Sequence, residues 1–463
     1  MNTIIKTVLL CFATFSLIEC TNMTSGQDAM LDSICDNGFQ IERGGLYISV
    51  DDAVIVAHQI MKNRNPGTKV NPREVKNVYT IFLSNGNPAM YVVNYTNNEG
   101  FTIIGASKHY YPILAESEKG CINSDEEKAA MEIWLSEQKA SIEYYQNNTE
   151  EARKFAELWN PYEKAATFPF TKNGNINAVR SAFIAECEGN GLECYSLSDL
   201  ENVLPTTVYD TWCTMAAALS NPDYNYLHTS IVTKASQNTH SIIGPLTTTE
   251  WGQDAPYNSA IPGTKLVGCV AVAIGQVMKK HKKPTSFNWS AMPDYLAVYD
   301  APSIPLSNLL YTLAEDAGTV YGYSTSSGND SLAQVALTTK YNYYAHLIPH
   351  SEDSTRASLV MGNPVYTGGY TGPDPYANGH SWVCDGVDDV TTYNTYNLYI
   401  VANDEPLHYE HTGQPYSSAS QYSYWRYNWG QRGSGNGYYM VPQYDLNHYY
   451  YCDRSDMIIH PRN

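Results

Sequence analysis

The 463-residue chain sets 28 Lys+Arg against 47 Asp+Glu, for a formal net charge of −19. With no basic patch interleaved with aromatics, this excludes nucleic acid and anionic membrane surfaces as electrostatic partners. The length exceeds one ordinary hydrophobic core and implies two or three domains.

Residues 1–20 have the form of an export signal: Asn2 and Lys6 in a polar start, then an apolar run from Thr7 to Ala13. Leu17-Ile18-Glu19-Cys20 is similar to a bacterial lipobox, with Cys20 as the residue a lipid anchor would take, although Glu19 stands where a small residue is usual. No other stretch approaches about 18 uninterrupted apolar residues, so no transmembrane span is expected. The expected location is outside the cytoplasm: secreted, periplasmic or held at the cell surface by one end.

The next unit, 21–165, reads as a compact α+β domain. Ser49 to Asp52 opens a helix with a capping-box start, and Ala53, Val54, Ala57, Ile60 and Met61 give it one apolar face. Three short β-rich runs follow, Val78 to Leu83, Met90 to Tyr95 and Phe101 to Ile104. They are joined by Asn/Gly/Pro turns that predict an antiparallel meander. A second capped start, Ser124-x-x-Glu127, leads a helix through Met131, Trp134, Leu135, Ile142 and Tyr145. Nothing in this unit converges on a nucleophile or an acid pair. Residues 166–241 read as an extended, partly ordered connector, with a polar, protease-sensitive hinge at Thr229 to His240 and an activation cut between Lys234 and Ser241.

The domain 242–463 runs helices first and strands afterwards, an α+β pattern. Apolar residues at 270, 273, 274, 277 and 278 place Cys269 in the first turn of an amphipathic helix, behind Gly268. A helix N-terminus carries about half a positive charge, which favours thiolate over thiol. Helices are also predicted from Leu306 to Ala317 and Leu332 to Lys340. Strands are predicted at Val365–Gly368, His380–Asp385, Tyr396–Ala402, Tyr424–Asn428 and Gly437–Val441.

A thiolate nucleophile needs a base and a group to orient it. His380 begins a strand after Gly379, and Asn428-Trp429-Gly430 ends a later one, so that an Asn amide could accept from the imidazole and an indole could shield the bond. Gln253, upstream of Cys269, could donate to an oxyanion beside the Cys269 backbone N–H. Of ten cysteines, Cys11 and Cys20 lie in the signal region, Cys384 reads as a buried thiol, and Cys187 with Cys194 is the only pair close enough in sequence to suggest itself as a bridge. No CxxC occurs and His408-x-x-His411 lacks companions, so neither a metal nor a cofactor is implied.

Several motifs recur together. They are Gln253-x-x-Pro256-Tyr257-Asn258, Gly268-Cys269-Val270-Ala271, Gln276 to Lys279, His281-x-x-Pro284, Asn288-Trp289, Ser326-Ser327-Gly328, Asn363-Pro364-Val365-Tyr366, Gly379-His380, Asp385-Gly386 and Asn428-Trp429-Gly430. In this order the chain from about Ile242 onward resembles the streptopain family of bacterial papain-like cysteine peptidases. That resemblance implies a papain-like fold with the nucleophile helix packed on an antiparallel sheet. It also implies Cys269 as nucleophile, His380 as general base and acid, Gln253 in the oxyanion hole, and Asn428 with Trp429 around the histidine. Ser327, Gly328, Asn329 and Gly379 would line the substrate cleft, and the substrates would be proteins or peptides. The first domain resembles the family's propeptide, an intramolecular inhibitor removed by cleavage. Three features depart from the pattern: Asn329 in place of serine, the lengthened connector, and an insertion from Val390 to about Gln421 that reads as a flap near the cleft. Two other readings stay open, an inactive inhibitor or binding protein on a peptidase-like fold, and a papain-like amidase or transglutaminase.

Overall fold

The computed structural model describes residues 20–21, 41, 45–64, 73–122, 130–163, 174–220, 222–371, 379–402, 407–441 and 452–462. The export-signal segment Met1–Glu19, Cys35 and the Ser124-x-x-Glu127 cap lie outside them. Among the described residues no helix is long and apolar enough to cross a membrane.

In the first unit the anticipated capping box is formed. The Asp52 N–H donates to Ser49 Oγ (3.1 Å) and the Ser49 N–H to Asp52 Oδ2 (2.9 Å), opening helix α1, Val50–Arg64. The meander is present as β1 (Val75–Phe82), β2 (Pro88–Tyr95) and β3 (Phe101–Gly105). Gly100, before β3, has φ +98°, and a Cβ there would stand 1.9 Å from the Ser117 carbonyl oxygen, so the turn admits only glycine. A fourth strand, β4 (Ile113–Ser117), was not anticipated. It pairs with β3 on one side and on the other with β11 (Gly437–Met440) of the second domain, through Tyr438↔Glu116 and Tyr439↔Ala115.

That pairing makes one antiparallel sheet of both domains. After β4 and β11 it continues through β10 (Tyr409–Asn428), β9 (Gly379–Val401), β8 (Val365–Thr371), β12 (Cys452–Pro461) and β7 (Tyr343–Pro349). Helix α2, Glu132–Asn147, lies over the junction. The Trp134 indole N–H and the Gln138 amide both donate to the Met440 carbonyl (3.0 and 2.8 Å), and Glu137 pairs with Arg454 at 3.1 Å where both are nearly buried. Met131 and Trp134 share a hydrophobic cluster with Trp382, Trp429 and Tyr439.

The segment 174–243, read as a partly ordered connector, is instead regular structure. It contains α3 (Gly174–Gly189), β5 (Glu193–Ser196), α4 (Thr206–Leu219) and β6 (Ile231–Ile243). The supposed hinge is β6, whose polar side chains reflect a strand largely open to solvent on both faces. The insertion is the far half of the long β9–β10 hairpin, not a separate flap. On the opposite face of the sheet from α2 sit α5 (Cys269–His281), α6 (Ile304–Asp316) and α7 (Asp330–Thr339). They share a core with Tyr366, Val383, Met457 and Ile459.

Candidate active site

Helix α5 buries Val270 through Met278, as its apolar spacing requires, and ends at Lys282 in the left-handed region (φ 52°). Gly268 at its N-cap has φ +99°, and a Cβ there would meet Thr319 at 3.4 Å, so the turn into Cys269 depends on glycine. The loop at Gly328 packs on the same turn, since a Cβ there would come within 3.1 Å of Val270. Gln253 is partly exposed, and its carbonyl accepts the Val267 N–H (2.9 Å), which fixes its loop beside the residues entering the helix. Cys269, Gln253 and the Ser327–Gly328 loop are therefore neighbours around one helix end. Asn329 is not free to reach outward, because its side chain caps α7 by accepting the Leu332 N–H at 3.0 Å. Gly379 is exposed at the start of β9, paired with Tyr370.

The expected contact between Cys269 and His380 is not formed in this structure. Neighbouring residues on a strand point to opposite faces, and here Ser381, not His380, faces α5. The Ser381 hydroxyl hydrogen-bonds to Cys269 and lies 2.7 Å from the Tyr366 hydroxyl, which donates to Asp330 Oδ1 at 2.5 Å. Burial raises the Cys269 thiol above its ordinary pKa, the Ser381 hydrogen bonds opposing this and the nearby Asp330 carboxyl adding to it. The thiolate anticipated from the helix N-terminus is thus disfavoured in this state, chiefly because the sulfur is withdrawn from water. Burial also raises Asp330, with the Tyr366 hydroxyl opposing. Ser381, Tyr366 and Asp330 were not singled out individually, although each adjoins or lies within a motif read from the sequence.

His380 lies on the other face, stacked on Trp382 (6.1 Å between ring centroids) and Trp429 (6.3 Å), its Nε2–H donating to the Trp429 carbonyl at 3.0 Å. Trp429 therefore does flank the histidine. Asn428 does not touch it: its amide donates to the Thr249 carbonyl (2.6 Å) and its Oδ1 accepts the Gly430 N–H (3.3 Å). Asn428 is directly opposite Val383 in register, so it shares the α5 face with Ser381. Among the described residues no group of three His, Cys, Asp or Glu side chains is placed to hold a metal ion.

Burial lowers the His380 pKa from 6.5 to about 4, the Trp429 carbonyl opposing, so the imidazole is neutral at pH 7. The unfolded chain binds a proton at this residue below about 6.5 and the folded chain does not until about 4, so the stability linked to it is full above 6.5 and is lost as pH falls towards 4. The loss is on the order of 3 kcal/mol for such a shift. Thermal unfolding of the precursor across this range is expected to show a shallower decline in Tm for His380→Gln than for wild type. Equal slopes would contradict a buried, neutral imidazole.

Comparison with known proteins bears on both domains. The Peptidase C10 family model matches residues 251–287 and 283–439, and the model described as Spi protease inhibitor matches residues 46–142. The thiol protease/hemagglutinin PrtT of Porphyromonas gingivalis is 26% identical over 185 residues, covering 31% of this chain and 21% of that protein. The chain thus spans about a fifth of that relative's length. Among solved structures, a fragment of Prevotella intermedia prointerpain A is 16% identical, with TM-score 0.46 over 84% of this chain and 98% of that one. Active interpain A, a cysteine protease of the same organism, is 20% identical, with TM-score 0.33 over 47% of this chain and 94% of that one.

Proposed function

We propose that the chain, whose residues 251–439 match the Peptidase C10 family model and whose residues 46–142 match the Spi protease inhibitor model, is the latent precursor of an exported endopeptidase of that family acting through a thioester on Cys269. Its substrates are proteins or peptides. The single observation that carries this reading is the position of Cys269, partly exposed in the first turn of α5 behind Gly268, with Gln253 and the Ser327–Gly328 loop around it. In the active state His380 takes the Cys269 proton as sulfur bonds to the scissile carbonyl carbon. The resulting oxyanion is held by the Cys269 N–H and the Gln253 side-chain amide. Collapse breaks the C–N bond, and His380 delivers its proton to the departing amine. Water, deprotonated by His380, then adds to the thioester carbon; the C–S bond breaks, the carboxylic acid product leaves, and His380 returns the proton to sulfur.

Latency in this reading is a matter of strand parity. A register change of one residue at the start of β9 turns every side chain there to the opposite face, which would exchange Ser381 for His380 beside Cys269 and bring the imidazole to the face that Asn428 occupies. Register is weakly specified in glycine-rich strands, and the partners of His380 and Ser381 on β8 are Gly369 and Gly368. The inhibitor domain favours the latent register because α2 covers the Trp382–Trp429 cluster on which His380 rests. Its boundaries on this reading are residues 21–165, ahead of a catalytic domain from about 242. Export, and attachment at Cys20 if the lipobox is used, complete the proposal.

An epoxide that alkylates active-site thiols tests it. Cys269 is expected to be labelled rapidly after proteolytic removal of the inhibitor domain and slowly before. Equal labelling in both states, with no peptide hydrolysis in either, would favour an inactive binding protein. Gln253→Ala is expected to lower kcat about a hundredfold with KM little changed, the loss of one oxyanion donor. An unchanged kcat with a raised KM would place Gln253 in substrate binding instead.

A further inference from the structure

The two stretches that depart from the family pattern, 174–243 and the far half of the β9–β10 hairpin, fold on each other. Strand β6 runs antiparallel to β9 from Val387↔Ile243 to Tyr399↔Ile231, and β5 pairs with β6. Trp212, Leu200 and Val232 from the first stretch share one core with Tyr396, Leu398 and Ile400 from the second. Lys234 is 3% exposed, 3.7 Å from Glu193 and over the Tyr396 ring at 6.0 Å. The larger core is shared by both stretches, while 174–243 alone contributes only the small Cys187–Cys194–Ile231 cluster, so loss of the inhibitor domain leaves 174–243 bound to the peptidase even if β6 is nicked.

One side of this module faces the inhibitor domain. There the Glu157 carboxylate accepts from the Tyr396 hydroxyl (2.7 Å) and from the Asn394 amide (3.2 Å). A cavity of about 90 Å³ lies between the two partners at this contact, walled on the module side by Lys234, Ser236, Asn238, Thr392 and Asn394 and on the other by inhibitor-domain residues that include Glu157 and Tyr162. Asn394 and Tyr396 are 4% and 1% exposed. The module's contribution to this contact is a set of donors, Asn394 and Tyr396, beside the buried Lys234 ammonium, already engaged by a carboxylate and therefore matched to acidic side chains.

We propose that 174–243 and the far half of the β9–β10 hairpin form an exosite of the mature peptidase that binds a carboxylate-bearing protein segment, and that the precursor fills it with Glu157 as a second hold on the inhibitor domain, remote from Cys269. The proposal rests on the peptidase reading above. It is tested on the full-length precursor by comparing wild type, Glu157→Gln, Asn394→Ala and the double variant for the rate of conversion to active enzyme, with mass and N-terminal analysis of the product. Glu157→Gln is expected to convert about tenfold faster, the charge being lost from both contacts, and Asn394→Ala by less, because the Tyr396 hydroxyl still donates to Glu157. The double variant is expected to convert no faster than Glu157→Gln alone, because the Asn394 contact is already lost with that carboxylate. The product is expected to retain 174–243, covalently or as a tightly bound fragment, and Asn394→Ala is expected to leave mature hydrolysis of a short neutral peptide unchanged. Conversion of Glu157→Gln at the wild-type rate, multiplying effects in the double variant, or a mature enzyme without 174–243 would overturn the exosite. Failure of every precursor, wild type included, to yield any hydrolysis would instead overturn the peptidase reading.

Discussion

Replacing Cys269 by alanine is expected to bring peptide hydrolysis by the activated enzyme to background, a loss of at least about 10⁴-fold in kcat. The substitution removes the sulfur in the first turn of α5 and a small side-chain volume, and the fold survives because the helix is held by Val270 through Met278. His380→Ala is expected to be nearly as damaging, and the double variant no worse than either single, since nucleophile and base act as a unit. A His380→Ala enzyme retaining more than a small fraction of wild-type kcat would move the search for the base elsewhere. Asp330 would then be the next group to examine, because it is linked through Tyr366 and Ser381 to the thiol.

Trp134→Ala in the precursor is expected to release latency. The indole is buried at the junction of the two domains, packs edge-on against Tyr439 at 5.0 Å between ring centroids, and donates to the Met440 carbonyl at 3.0 Å. Truncating a buried tryptophan costs about 3–5 kcal/mol. Even the lower figure, if felt at the junction, multiplies the undocked population more than a hundredfold. Hydrolysis by freshly purified Trp134→Ala precursor is therefore expected to begin without the lag of wild type. An unchanged lag would mean that α2 does not hold the latent state.

The parts of the fold that were legible share a feature: their sequence pattern is local. Helix α5 announces itself through apolar spacing behind Gly268, and β1 to β3 through Asn/Gly turns between short β-branched runs. Strand β4 did not, because Ile113-Leu114-Ala115-Glu116-Ser117 carries a single β-branched residue and no Asn/Gly turn leads into it. The 174–243 module was missed for the opposite reason. Most of β6 is exposed, its side chains are polar, and its partner lies some 150 residues away, as in the Ser236–Asn394 hydrogen bond. At the site, Cys269 and its loop neighbours were legible from chemistry and spacing. What the spacing could not supply is parity, since Gly379-His380-Ser381 reads the same whichever of the last two faces α5. That choice is made by packing across the sheet, where the Trp382–Trp429 cluster and α2 hold the imidazole.

On the proposed reading, a peptidase is kept inactive by a domain joined to it through a shared sheet. Hydrolysis of a reporter peptide by the purified full-length chain, followed while cleavage is monitored in the same samples by N-terminal sequencing, tests that latency. The expected result is no hydrolysis until the chain is cut, then a rise in step with loss of the 46–142 domain. Full activity in the uncut chain would contradict it.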